Sequence, residues 1–243
     1  MDSIQGEKKN VIGVLGGMGP LATQLFYGMI IENTEAACDQ DHIDMIILNS
    51  ASTPDRTKAL LSGDTTRLYS SLLADCVFLE KSGVSHIVIP CNTSHFFADR
   101  LQAELKTPII NMIRAAAGAV CPPGTKGMKV GILATEGTVK TGLYQTELEK
   151  AGHIPVVPSE ENQKLVMKII YEGVKAGGEI DFSDFEKIEK ELIDKGCTRA
   201  IMGCTELSCF MNMYKLPEDF YFDAMKTLAL NAIIAAGGKI KKG

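Results

Sequence analysis

The sequence predicts an α/β protein built from two similar parallel-sheet halves. Three observations carry that expectation. Short β-branched or aliphatic runs alternate with longer stretches of helical periodicity, the pattern of βαβ units whose sheets are covered by helices on both faces. The second half echoes the first: Gly13 matches Gly131, Cys91 matches Cys204 and Asn111 matches Asp223, at offsets of 118, 113 and 112 residues. Each half also places a cysteine after an apolar run, in His86-Ile87-Val88-Ile89-Pro90-Cys91 and in Arg199-Ala200-Ile201-Met202-Gly203-Cys204. Buried strands share composition, so similar runs alone would not argue for duplication; the matched thiols do.

Strands are expected at residues 11–15, 45–48, 86–89, 109–111, 129–133, 155–157, 200–202 and 220–222, with helices clearest over 68–81 and 160–175. The first strand runs into Gly16-Gly17-Met18-Gly19-Pro20. Pro20 suits the first turn of a helix, where its missing N–H costs nothing. The loop lacks both G-x-G-x-x-G and G-K-[ST]. It reads either as backbone that binds an anion or as a tight strand-to-helix turn. The second strand leads into a polar loop carrying Arg56, which can clamp a carboxylate with two parallel hydrogen bonds or pair with Asp55 on the surface. Residues 121–127, rich in turn formers, mark a break between the halves. The expected division is residues 1–113 and 114–223, with the C-terminal helix of 224–243 packing back on the first domain. Lys175 ends a helical stretch, where a lysine also complements the helix dipole. The basic end, Lys239 to Lys242, is expected to fray into solvent.

The chain of 243 residues is long enough for sizeable cores. A formal net charge of −5 argues against nucleic acid as a partner. Met1 to Asn10 lacks the apolar core of a signal peptide, and no apolar run approaches the ~20 residues of a membrane helix. Seven cysteines, with no C-x-x-C pair, suit neither a disulfide framework nor a zinc site. The expectation is a cytoplasmic protein with reduced thiols, no membrane and no metal. Cys38, Cys76, Cys121, Cys197 and Cys209 read as small buried hydrophobes; His42, His86 and His153 are isolated.

Ligands in parallel sheets bind beyond the carboxyl ends of the strands, where Cys91 and Cys204 fall. Two thiols on opposite sides of one carbon could remove a proton from one face and return one to the other. Such thiolates need a lowered pKa, from a helix N-terminus or a nearby cation. Asn92, Thr93, Ser94 and Thr205 follow the thiols and are candidate donors to a substrate carboxylate. Glu206 and His95 could tune proton transfer or serve only in capping and packing.

The segments Gly16-Gly17-Met18-Gly19-Pro20-Leu21-Ala22-Thr23, Pro54-Asp55-Arg56-Thr57, Pro90-Cys91-Asn92-Thr93, Tyr171-Glu172-Gly173-Val174-Lys175-Ala176-Gly177 and Gly203-Cys204-Thr205-Glu206 together resemble the aspartate/glutamate racemase family, and within it the cofactor-independent aspartate racemases. The resemblance runs from Val11 to the final helix. It implies two similar α/β domains related by pseudo-twofold symmetry, with the active site in the cleft between them. It implies Cys91 and Cys204 as the acid/base pair, and Arg56 and Lys175 gripping the carboxylates of a small dicarboxylic amino acid. It further implies no cofactor, a homodimer, and action of Cys91 on the D form and Cys204 on the L form. Glutamate racemases resemble the chain less, since their second cysteine is followed by Thr-His and Cys204 is followed by Thr205-Glu206. Two alternatives stay open: a maleate-isomerase-like enzyme with a cysteine nucleophile, and a non-catalytic carboxylate-binding protein. Aspartate against glutamate is also open, because one methylene discriminates weakly.

Overall fold

In the computed structural model, residues 10–241 are described; the expectations for residues 1–9 and for Lys242 lie outside them. The first half runs β1 (Ile12–Gly16), α1 (Pro20–Asn33), β2 (Met45–Asn49), α2 (Arg56–Ser62), α3 (Thr66–Lys81), β3 (His86–Val88), α4 (Ala98–Glu104), β4 (Ile109–Ile110) and α5 (Met112–Ala119). The second runs β5 (Lys129–Leu133), α6 (Glu136–Lys140), α7 (Leu143–Lys150), β6 (Ile154–Val156), α8 (Glu160–Lys168), α9 (Phe182–Asp194), β7 (Arg199–Met202), α10 (Thr205–Tyr214), β8 (Tyr221–Asp223) and α11 (Ala224–Ala235).

The two sheets repeat one topology. Strand order is β2-β1-β3-β4 in one and β6-β5-β7-β8 in the other, and every pairing is parallel. The matched glycines have matched jobs. A Cβ on Gly13 would press on Val84 and on Leu79 of α3, and one on Gly131 would press on Leu192 of α9, so each lets the equivalent helix lie close on its central strand. In both sheets the chain leaves the central strand first to one side and then to the other. The crevice at that switch, beyond the carboxyl ends of β1 and β3 or of β5 and β7, is where ligands of open α/β sheets bind. Cys91 follows β3 and Cys204 follows β7.

The last helix of each half leans on the other half. α5 packs on α7 and α11, while α11 packs on α1 and α5 and reaches β3 and β4. One apolar cluster consequently runs through both sheets, from Ile12, Val14 and Phe26 to Ile132, Ile201 and Leu228. A smaller one, with Leu68, Leu72 and Leu79, fills the space under α3 and α4. Full burial of such a side chain contributes roughly 1.5–3 kcal/mol.

Three expectations are corrected. Residues 239–241 are pinned rather than frayed: Ile240 bridges Thr34 in antiparallel fashion, Glu35 donates its N–H to Lys239 O at 2.8 Å, and Lys241 donates to Asn33 O at 2.8 Å. Cys38 is exposed, unlike the other free cysteines. The stretch 160–175 is not one α-helix. After α8 it widens into a π-helical segment, Ile169–Lys175, closed by Ala176 N–H donating to Tyr171 O at 3.0 Å. Among the described residues no helix is long and apolar enough to cross a membrane.

Candidate active site

Pro90 cannot donate to a ladder, so β3 stops short and the chain turns. Cys91 N–H bonds Ile89 O at 2.7 Å, and a 3-10 turn, Thr93–Phe97, follows. His95 locks this turn. Its Nε2 accepts the Met112 N–H at 3.0 Å, so that nitrogen is bare; its Nδ1 carries the proton and donates to Cys91 O at 2.9 Å. Burial holds the His95 pKa below its ordinary value. A neutral imidazole bonded at both nitrogens is a packing group that fixes the Cys91 backbone, not an acid or base.

Cys204 occupies the N-cap of α10 in extended conformation. Its Sγ donates to Glu206 Oε2 at 2.9 Å. The other Glu206 oxygen pairs with Lys175 Nζ, and a Cβ on Gly19 would collide with it. The glycine loop therefore gives close room to a carboxylate of the protein itself. The expected lowering of thiol pKa is not what surrounds Cys204. Burial and the Glu206 charge push it well above its ordinary value, and Lys175 offsets only part of that. Cys204 rests as a thiol.

Both thiols line one narrow cavity of about 20 Å³ between the halves, room for about one water. Arg56 and Met18 join the wall from the first half, Lys175 and Tyr171 from the second. Arg56 donates to Met18 O and Pro54 O, each at 3.2 Å. Burial opposes its charge, but Cys91, Asp55 and Glu206 raise its pKa above the ordinary value. Asp55 does not hold Arg56 on the surface. It caps α2 through the Lys58 N–H at 2.8 Å and accepts the Tyr171 hydroxyl at 3.0 Å across the cleft. Burial raises the Tyr171 pKa, so the phenol stays a donor. The π-helical segment brings Tyr171 and Lys175 to the cavity together; such segments recur at functional sites.

Of the residues expected in the site, Cys91, Cys204, Arg56, Asn92, Thr93, Lys175 and Thr205 all line this cavity. Ser94 does not: its hydroxyl is buried against Met18 Sδ at 3.1 Å. The hydroxyls of Thr93 and Thr205 are already engaged. The Thr93 hydroxyl meets those of Thr135 and Thr138 at 3.1 and 2.9 Å, joining the halves, and the Thr205 hydroxyl donates to Glu206 Oε2 at 3.4 Å. Sequence reasoning assigned no role to Tyr171, Thr135 or Met18. Thr135 follows β5 and so stands at a strand's carboxyl end, a signal that could have found it. Among the described residues no group of three or more His, Cys, Asp or Glu could hold a metal ion.

Comparison with known proteins gives the arrangement a family. Residues 15–228 match the family Asp/Glu/Hydantoin racemase. The chain is 29% identical over 164 residues to the broad specificity amino-acid racemase RacX of Bacillus subtilis, covering 66% of this chain and 69% of that protein. It is 28% identical over 160 residues to a glutamate racemase of Persephonella marina, covering 63% of this chain but only 59% of that protein. Among solved structures, the aspartate racemase of Picrophilus torridus superposes with a TM-score of 0.81 at 28% identity, covering 96% of each chain. A putative Asp/Glu racemase from Yersinia pestis gives 0.77 at 25% identity, over 93% of this chain and 99% of that one. With the match spanning both sheets and both thiols, the chain belongs to the Asp/Glu/hydantoin racemase family and is an amino-acid racemase.

Proposed function

We propose that the protein interconverts L- and D-aspartate without a cofactor, by proton transfer between Cys91, the substrate Cα and Cys204. The observation that carries this is the pair of thiols, one from each half, on the wall of a single cavity. One thiolate takes the Cα proton. The electron pair left on carbon spreads into the α-carboxylate as an enediolate, and the opposite thiol delivers its proton to the other face. The base ends as a thiol and the acid as a thiolate, ready for the reverse direction. By the resemblance to the family, Cys91 acts on the D form and Cys204 on the L form, the two thiols exchanging the roles of base and acid.

Aspartate carries two carboxylates and one ammonium. Arg56 and Lys175 offer the two cations for the carboxylates. A cavity near 20 Å³ holds far less than an amino acid, so substrate binding opens the cleft. Opening parts Tyr171 from Asp55 across the cleft; Lys175 and Glu206 both belong to the second half, so it is the substrate carboxylate that draws Lys175 away from Glu206. The likeness to the Picrophilus torridus enzyme along almost the whole chain supports aspartate over glutamate.

The test follows α-deuterium uptake and optical rotation for each enantiomer of aspartate and glutamate in deuterated water. Aspartate should exchange and racemise. No exchange with any amino acid would end the racemase proposal, and faster turnover of glutamate would move the substrate to the longer acid.

A further inference from the structure

One fully buried tyrosine stands outside the chemistry described above. Tyr144, in α7 of the second half, is 0% exposed, and its hydroxyl donates to Asn92 Oδ1 at 2.5 Å. Asn92 belongs to the first half, follows Cys91 and lines the cavity. Its other end, Nδ2, is buried without a hydrogen-bond partner among the described residues. Buried donors are nearly always paired, because desolvating one without a partner is costly. An unpaired one at a cavity wall is a donor awaiting a ligand.

We propose that Tyr144 is a positioning residue: it holds the Asn92 oxygen and thereby presents the Asn92 NH2 to the α-carboxylate of the substrate as that group gains enediolate charge. The proposal rests on the racemase reading of the site. An amide has a donor end and an acceptor end, and a reversed Asn92 would aim an oxygen at an anion. The phenol prevents reversal as long as it donates. Burial, Asp223 and Cys204 push the Tyr144 pKa well up, so it keeps its proton. The neighbouring backbone makes room for the ring. A Cβ on Gly203 would lie 2.9 Å from the Tyr144 ring and 3.2 Å from Leu133 O. The residue before Cys204 must therefore be small if the tyrosine is to reach the residue after Cys91. One side chain thus ties the flanks of both thiols together across the cleft.

The experiment is a double-mutant cycle read by α-deuterium exchange. Asn92→Ala should lower kcat by about 10²–10³-fold, the loss typical of one donor to a developing oxyanion, with KM little changed because the bond strengthens in the transition state. Tyr144→Phe should lower kcat at least about tenfold, by the same donor misaligned. The double variant should be no slower than Asn92→Ala within about threefold, since the tyrosine acts only through the amide. A second variant, Asn92→Asp, keeps an acceptor for Tyr144 and removes the donor; it should be as slow as Asn92→Ala even if Tyr144→Phe fails to fold. Losses that multiply in the double variant, a Tyr144→Phe enzyme with wild-type kcat, or an active Asn92→Asp enzyme would each overturn the positioning role. A wild-type protein that exchanges no α-proton overturns both proposals, whereas an exchanging one indifferent to Tyr144 overturns only this one.

Discussion

Replacing Glu206 by Gln removes one charge from a buried pair while keeping the shape of the side chain. The Glu206 side chain is 3% exposed and that of Lys175 23%. The carboxylate also accepts the Cys204 thiol at 2.9 Å. Removing one partner of a buried ion pair costs about 3–5 kcal/mol, because the other charge is left unpaired. Lys175 is partly exposed, and the glutamine oxygen still accepts a hydrogen bond, so about 2–3 kcal/mol is expected here. For a chain of this size that lowers the melting temperature by about 4–12 °C. The same change frees Lys175 for the second carboxylate of the substrate. Aspartate should therefore bind the Glu206→Gln variant more tightly and raise its melting temperature by more than it raises that of the wild type. Alanine, with no second carboxylate, should show no such gain. Differential scanning fluorimetry with and without each amino acid measures all four quantities. An unchanged melting temperature, or an aspartate shift no larger than in the wild type, would refute the idea that Glu206 holds Lys175 until substrate arrives.

Cys91→Ser and Cys204→Ser should each slow racemisation by at least about 10²–10⁴-fold, as for loss of a general acid or base; deuterium exchange with single enantiomers measures this, and wild-type rates in both variants would exclude a two-thiol mechanism. Burial holds the His95 pKa below its unfolded value, so between those two values the unfolded chain binds more protons. The stabilisation is therefore full above about pH 6.5 and is lost as pH falls through the folded pKa. Urea unfolding midpoints from pH 7.5 to 5 should fall more steeply for the wild type than for His95→Gln. Thr93→Val keeps its volume but breaks both hydroxyl contacts to the second half, and should cost about 1–3 kcal/mol in urea unfolding for the buried partners left unsatisfied.

What the sequence reveals depends on how local the physics is. The alternation of strands and helices is legible because burial on a parallel sheet is a run of neighbours, and all eight expected strands are present with ends moved by a residue or two. Cys91 and Cys204 stand out because local sequence and internal duplication mark the same two positions. The π-helical turn is hidden, since seven residues are too few to tell its period from that of an α-helix. Tyr144 meets Asn92 across 52 residues, and Tyr171 meets Asp55 across 116; no pattern along the chain encodes such meetings. Glu206 is the instructive middle case. It lies two residues after Cys204, and on a regular helix side chains at that spacing do not face each other. They meet because Cys204 is an N-cap, with φ −143° and ψ 137°, which turns its thiol back over the first helical turn. The end of β7 places the thiol beyond the sheet, and the start of α10 places the carboxylate under it. A single residue of extended backbone between strand and helix is thus what allows a cysteine to donate its thiol proton to a hydrogen bond with a glutamate at this position.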